Sequence, residues 1–368
     1  MTNTYARINL THLLENYDVV RRFAGDKQVI CIVKADAYGH GAQECARALS
    51  EHGASYFGVA SVDEAIHLRQ AGIRDSILIL GYVPFSRIEE GLAQDVTFAV
   101  YSLSFAKALN EAAKECGKQA RVHVKLNTGM SRLGFSGVNK GIEAVKAVYG
   151  LDMLELEGLF SHFATADEED LGPTKEQYAC FEAVVKGVRD AGIEIPMIHI
   201  ENSAGTIAFG APITTAVRPG IILYGVHPSD YLERTPIPIK PVMSFLTSVA
   251  NLSNLEPGEC VSYGRHFTAK EPRRVATLCA GYADGYFRAL SSKAHVWLKG
   301  VQVPVLGNIC MDMCMVDATD AAGVQVGDEA ELFGEHISVS ELARLAGTIP
   351  YELVCAVSKR VERIYVTE

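Results

Sequence analysis

At 368 residues the chain has room for two domains, or for one large barrel with an appended module, each burying a core of its own. With 48% hydrophobic and 21% charged residues it reads as an ordinary globular protein, which excludes a disordered or fibrous chain. A net charge of -10 without clustered Lys and Arg excludes nucleic acid as a general partner. Neither a basic, apolar leader nor an apolar run of about 18 residues is present, so the expectation is a cytoplasmic protein without membrane contact.

The first segment, TYARINL, has strand character, and residues 1–9 are expected to join the sheet of a second domain. From about residue 28 to 226 short β-branched runs alternate with helical patterns, the signature of βα units around a parallel sheet. The runs are VICIVKA (29–35), YFGVAS (56–61), SILILGY (76–82), VTFAV (96–100), RVHVKLN (121–127), LEGLFSHF (156–163), MIHIEN (197–202) and VRPGIILYG (217–225). Eight units predict an α/β protein with a TIM-type (β/α)8 barrel over residues 10–230. An open doubly wound sheet usually carries a Gly-rich phosphate turn after its first strand, and none is found here. The Pro-rich stretch PSDYLERTPIPIKP (228–241) reads as a domain junction. Residues 231–368 are then short, β-rich and separated by turn residues, so a mainly antiparallel β domain is expected.

The nine cysteines are scattered, and several, such as Cys31 and Cys279, lie in apolar runs expected to pack as reduced thiols. Cys310 and Cys314 form a C-x3-C with no second pair of zinc-site spacing, so no metal is expected.

Barrel enzymes place their chemistry at the C-terminal ends of the strands. Those ends carry Lys34 and Tyr38, Lys125 and Arg132, His162, and His199 with Asn202 and Ser203, with Arg218 in the eighth strand. A lysine closing an apolar strand loses solvation and moves toward the neutral amine that attacks a carbonyl, although alone Lys34 reads equally as a snorkelling surface residue. Gly39-His40-Gly41 is expected to let backbone approach a ligand closely. Asn202-Ser203 reads as a helix N-cap where free N–H groups favour a phosphate, and Gly220 adds close-approach backbone beside it.

VKADAYGHG, VHVKLNTGMSRLGF, SHFATADE, ENSA, VRPGIILYG, VSYGRHF, GYADGY and GNICMDMCMVD resemble, in order and spacing, the motifs of the alanine racemases. The resemblance spans nearly the whole chain. It implies pyridoxal phosphate (PLP) as cofactor, with Lys34 attached to it and acting as one base and Tyr263 as the other. Two bases are needed because racemisation removes the α-proton from one face and returns it on the opposite one. A tyrosine of pKa near ~10 needs help to act as a base, and the family assigns that help to His162. By the same resemblance Arg218 bonds the cofactor's ring nitrogen, while Tyr38, Asn202, Ser203, Gly220, Ile221 and Tyr351 hold the cofactor, chiefly its phosphate. Arg132 meets the substrate carboxylate or the cofactor's phenolic oxygen, and Lys125 matches a lysine often carbamylated in the family. Tyr263, Tyr282, Met311 and Asp312 are expected to act across the interface of a homodimer with composite sites, on a small amino-acid substrate that feeds D-alanine to peptidoglycan.

Two positions depart from the pattern: Asn127 stands where Asp is usual, and Asn308 where an entrance arginine is common. A serine racemase or a broad-specificity small amino-acid racemase is the rival reading. Serine-preferring members carry a smaller polar residue in place of Tyr351, which favours alanine here. Non-catalytic PLP proteins of similar barrel are single domains, which the second domain and the SYG tyrosine argue against.

Overall fold

In the computed structural model, which describes residues 3–367, the first large unit is a closed parallel barrel. Cys31–Ile32, Tyr56–Val59, Ser76–Ile79, Thr97–Val100, Ala120–Asn127, Leu154–Phe160 and Met197–His199 pair in that order, all parallel. Ala216–Val217 closes the ring by pairing with Gln28–Val29 on one side, and Thr215 N–H donates to the Ile198 carbonyl at 2.8 Å on the other. Tyr56–Val59 and Thr97–Val100 are buried at every position, as strands are when helices cover one face and a packed interior the other. The helices start where serine supplies an acceptor: Ser61 for Glu64 N–H and Ser102 for Phe105 N–H. The long helix Gly172–Asp190 buries Gln177, Phe181, Val184 and Val188, a spacing of four, three and four that keeps one face on the barrel.

Two expected strands are shorter than their apolar runs. The run 217–225 contributes only Val217, as the end of the strand Ala216–Val217, because Pro219 has no N–H to give and Gly225 turns left-handed at φ 74°. Ile221–Tyr224 instead wind into a 3-10 turn whose four side chains are all buried. Burial made that run apolar, and an apolar run does not distinguish a buried turn from a strand. The first run stops pairing at Ile32, and Lys34 begins a turn of another kind.

The second unit is mainly antiparallel, built on the strand Met243–Leu255. Its first half lies between Thr4–Asn9 and Glu329–Phe333, both antiparallel to it. A bulge between Val249 and Asn251 redirects its second half to pair with Arg273–Leu278. Thr4–Asn9 also pairs, in parallel, with Glu362–Val366.

Gly39 and Gly41 make room for this second unit and not for a ligand. A Cβ at Gly39 would collide with the Val354 carbonyl, and one at Gly41 with the Tyr365 hydroxyl. Among the described residues no helix is long and apolar enough to cross a membrane, and no cluster of His, Cys, Asp or Glu is placed to hold a metal. All nine cysteines are free.

Candidate active site

The site begins with a left-handed turn. Ala35, Asp36, Ala37 and Tyr38 have φ of 53°, 54°, 53° and 54°, a conformation that costs L-residues roughly 1–2 kcal/mol each. Hydrogen bonds offset that cost. The Glu64 carboxylate accepts from Ala35 N–H at 2.8 Å and from Ala60 N–H at 2.6 Å, tying the turn to the next strand end. Asp36 accepts from Ala42 N–H at 2.8 Å. His40 Nδ1 lies 2.9 and 3.0 Å from the Ala37 and Tyr38 carbonyls, so it carries the proton and donates to them. The result is that Lys34 and Tyr38, at the two ends of the turn, line one cavity of about 340 Å³.

That cavity lies at the C-terminal ends of the strands, where Lys125, Arg132, His162, Asn202, Ser203, Arg218, Gly220, Ile221 and Tyr351 also face it. Burial pulls the Lys34 amine below its ordinary pKa, helped by Arg132 and Arg218 and opposed by Glu64. Lys125 is pulled down further by burial and by the same two arginines. Its Nζ donates to the Leu126 carbonyl at 2.9 Å and sits 5.0 Å from the centre of the Phe160 ring. Arg132 stands at the exposed side of the cavity.

Arg218 is buried, and its two terminal nitrogens are committed to the protein. Nη1 meets His199 Nδ1 at 2.6 Å, while Nη2 reaches the Ser161 carbonyl at 2.7 Å, the Ile200 carbonyl at 3.1 Å and His162 Nδ1 at 3.1 Å. Its Nε–H has no partner among the described residues. Burial lowers the Arg218 pKa to about 9, with Glu201 opposing and Arg132 adding to the fall, so the guanidinium stays charged at neutral pH. Because guanidinium only donates, His162 Nδ1 is an acceptor and its proton resides on Nε2. Burial first, and then Arg218, holds His162 well below its ordinary pKa, so it is neutral.

The far end of the cavity is a ring of donors. Asn202 caps the short helix Ser203–Ala208 by accepting from Gly205 N–H at 2.9 Å, which leaves the first N–H groups of that helix without an intrahelical acceptor. Gly220 N–H donates to Ser203 Oγ at 2.8 Å. A Cβ on Gly220 would strike the Tyr38 hydroxyl, so only glycine lets this backbone meet that ring. The Tyr38 and Tyr351 rings are 6.1 Å apart, and neither hydroxyl bonds to the described residues. Burial raises both pKa values, so both remain protonated donors.

Four expected residues are elsewhere. Tyr263, Tyr282, Met311 and Asp312 lie outside this cavity, on the second unit, and Tyr263 is 75% exposed. They are held firmly. Ser262 adopts φ 65° and ψ 179°, a region that side chains avoid, and its Oγ donates to the Asn308 carbonyl at 2.6 Å. Tyr282 N–H donates to the Cys310 carbonyl and Ala283 N–H to that of Met311, both at 3.0 Å. Arg360 bridges Asp284 and Asp312 at 2.7 and 2.8 Å. The Tyr263, Tyr282, Met311 and Met313 side chains are all exposed.

A family model described as the alanine racemase N-terminal domain matches residues 8–228, and that of the alanine racemase C-terminal domain matches 242–365. The chain belongs to the alanine racemase family. It is 40% identical over 368 residues to "Alanine racemase 2" of Caldanaerobacter subterraneus subsp. tengcongensis, covering 99% of this chain and 95% of that one. It is 41% identical to the alanine racemase of Methanococcus maripaludis, covering 98% of each. Its fold superposes on the alanine racemase of Clostridium difficile with a TM-score of 0.95 at 37% identity, covering 100% of this chain and 97% of that one. The Bacillus anthracis alanine racemase with bound L-Ala-P gives 0.91 at 32% identity, with 100% and 96% covered.

Within this alanine racemase fold, two residues that shape the site escaped the reading of the sequence, and a third, Asn127, stood out there only as a departure from the pattern. Glu64 clamps the left-handed turn from a helix that looks merely amphipathic. Phe160 packs under Arg218, whose guanidinium carbon lies 5.4 Å from the ring centre. Asn127 shapes the loop to Arg132: its Oδ1 accepts from Gly129 and Ser131 N–H at 3.2 and 2.8 Å, and its Nδ2 donates to Ser136 Oγ at 3.0 Å. An Asn two residues ahead of a Gly, where a strand gives way to a loop, was the available signal for that last role.

Proposed function

We propose that this chain is a pyridoxal-phosphate-dependent alanine racemase, interconverting L- and D-alanine in the cytoplasm as a homodimer and supplying D-alanine for peptidoglycan. The observation that carries the reading is the donor set of the cavity. At one end lie free N–H groups and two unpartnered tyrosine hydroxyls, suited to a phosphate. The same cavity is lined by one unspent guanidinium N–H, suited to a pyridine nitrogen, and by a desolvated amine, suited to a carbonyl carbon.

Bound there, pyridoxal phosphate supplies an electron-withdrawing ring that acidifies the Cα–H of the amino acid it carries. Arg218 keeps its proton at neutral pH, so its Nε–H leaves the ring nitrogen unprotonated and tempers that withdrawal, which disfavours side reactions such as transamination. Lys34 holds or accepts the proton on one face of Cα. Tyr263 of the partner subunit does so on the opposite face, with the Nε2–H of His162 available to its oxygen. Arg132 orients the carboxylate through its planar fork. Lys125, its amine held well below its ordinary pKa by burial, is fit to take up carbon dioxide as a carbamate, whose negative charge would balance the two arginines beside it.

The dimer is supported by where Tyr263 lies. An exposed tyrosine on a strained turn, outside the cavity of its own chain, belongs to another copy's mouth, together with Tyr282, Met311 and Asp312. The test of activity is chiral chromatography of PLP-loaded protein incubated separately with L-alanine and L-serine. Fast conversion of alanine to the racemate with slow conversion of serine is expected. Serine-led conversion would make the chain a serine racemase and remove the significance of Tyr351.

A further inference from the structure

Beneath the cavity, a hydrogen-bonded chain runs through the barrel interior from Arg218 to Glu157. Arg218 Nη1 lies 2.6 Å from His199 Nδ1, His199 Nε2 lies 2.8 Å from His123 Nδ1, and His123 Nε2 lies 3.0 Å from Glu157 Oε2. The three links lie on adjacent parallel strands: Glu157 in Leu154–Phe160, His123 in Ala120–Asn127 and His199 at the end of Met197–His199. Space has been cleared for them. A Cβ at Gly158 would enter the His123 ring, and the strand register shifts between Val122 and His123.

Chemistry gives this chain one direction. Guanidinium can only donate, so His199 accepts at Nδ1 and carries its proton on Nε2. His123 must then accept at Nδ1 and donate from Nε2, and the carboxylate at the end can only accept. Reversing either imidazole would set two donors or two lone pairs against each other. Both histidines are fully buried, and burial first of all holds both below their ordinary pKa, so the neutral tautomers are the ones to consider. Glu157 is anchored in turn by Tyr56 and Thr97 hydroxyls at 2.8 and 3.0 Å. Two core histidines satisfied by one another would need no carboxylate. A half-buried carboxylate gathering three donors at the end of this chain is more than packing alone requires.

We propose that Glu157 is a positioning residue for the reaction, acting through His123 and His199 to hold Arg218 with its Nε–H toward the cofactor. The inference rests on the function proposed above. The carboxylate locks both imidazole tautomers, and the locked His199 gives Arg218 Nη1 a permanent acceptor. Without Glu157 the imidazoles are free to invert, Nη1 meets a donor part of the time, and the guanidinium turns away.

The experiment uses Glu157→Gln, which keeps the shape but offers a donor as well as an acceptor, and Glu155→Gln on the same strand, whose side chain is exposed, as control. Imidazole 15N spectra of cofactor-free protein read the tautomers directly. Wild type and the control should show His123 and His199 protonated at Nε2 alone, and Glu157→Gln should show a mixture. After PLP loading, kcat for alanine should fall about ten-fold in Glu157→Gln, the scale of one hydrogen bond, with KM within about two-fold. His123→Phe breaks the relay one link nearer Arg218 and should reproduce the His199 change and the loss in kcat, which covers failure of the first variant to fold. Unchanged tautomers in Glu157→Gln, or a fall in kcat without a tautomer change, would overturn the proposal. A wild type that racemises nothing would instead sink the functional reading, while the cofactor-free spectra would still decide whether the relay is locked.

Discussion

Asn308 Nδ2 donates to the carbonyl oxygen of Tyr263 at 2.6 Å, and Ser262 Oγ donates back to the carbonyl of Asn308 at the same distance. This pair of bonds holds a turn in which Ser262, Gly264 and Arg265 all have positive φ. Asn308 is therefore a clamp on the proposed second base. Asn308→Ala should retain the fold and lower kcat up to roughly ten-fold, in keeping with the loss of one hydrogen bond. Steady-state rates from both enantiomers, with circular dichroism as the fold control, check this; an unaltered kcat would show that Tyr263 holds its place unaided.

The proposed composite sites make a complementation prediction. Lys34→Ala homodimers should lack covalently held cofactor, and Tyr263→Phe homodimers should keep the cofactor absorbance but fail to deprotonate one enantiomer. Mixing and refolding the two should restore activity, because one site of each heterodimer then draws an intact Lys34 from one chain and an intact Tyr263 from the other. Lack of recovery in verified heterodimers would place both groups on one chain.

The left-handed turn depends on Glu64. Glu64→Ala removes the acceptor for both Ala35 and Ala60 N–H, and should lower stability by roughly 1–3 kcal/mol in urea unfolding while weakening PLP affinity. A variant destabilised to this degree with full PLP affinity would separate the turn's strain from cofactor binding.

Stability should fall with acid. His40 is fully buried, and burial lowers its pKa from 6.5 to about 4 against hydrogen bonds to the Tyr38 and Ala37 carbonyls. Between those two values the unfolded chain binds a proton that the folded one refuses. The stabilisation is complete above 6.5 and is lost as the pH falls through 4, amounting to roughly 3 kcal/mol. His123, His162 and His199 shift in the same direction and add to it. Denaturant midpoints taken across this range should rise with pH, and His40→Asn should flatten the slope.

Asn127→Asp exchanges the side-chain amide for a carboxylate. It keeps the Oδ1 that Gly129 and Ser131 bond, so stability should change by no more than about 0.5 kcal/mol. A larger loss in thermal or urea unfolding would mean that the Nδ2 bond to Ser136 governs the loop.

The barrel was legible because its strands are buried on both faces, which writes continuous apolar runs such as SILI into the chain. The same rule misled at 217–225, where a buried turn wears the same composition. Lys34, Arg218 and the residues around them were found because strand ends are where polar residues need a reason. Four consecutive left-handed residues without a glycine left no trace in composition, since only tertiary contacts such as Glu64 make them tolerable. The relay was half visible: Arg218 and His199 stand out at the strand ends, whereas His123 and Glu157 lie inside their strands, and nothing in a linear pattern says that polar residues on neighbouring strands share a register.

The strand Thr4–Asn9 lies between Met243–Leu255 and Glu362–Val366, so the sheet of the second unit draws a central member from far away in the chain. On the ribosome, that segment emerges early and then waits. The barrel can close once residues up to Tyr224 are out, whereas Tyr5 finds its partner Glu362 only after nearly everything else has been synthesised. Loop closure over that span is slow and leaves the edge of Thr4–Asn9 unpaired meanwhile. A charge such as that of Arg7 on a waiting edge is the kind of feature that disfavours pairing with a neighbouring copy before the strand's own sheet exists.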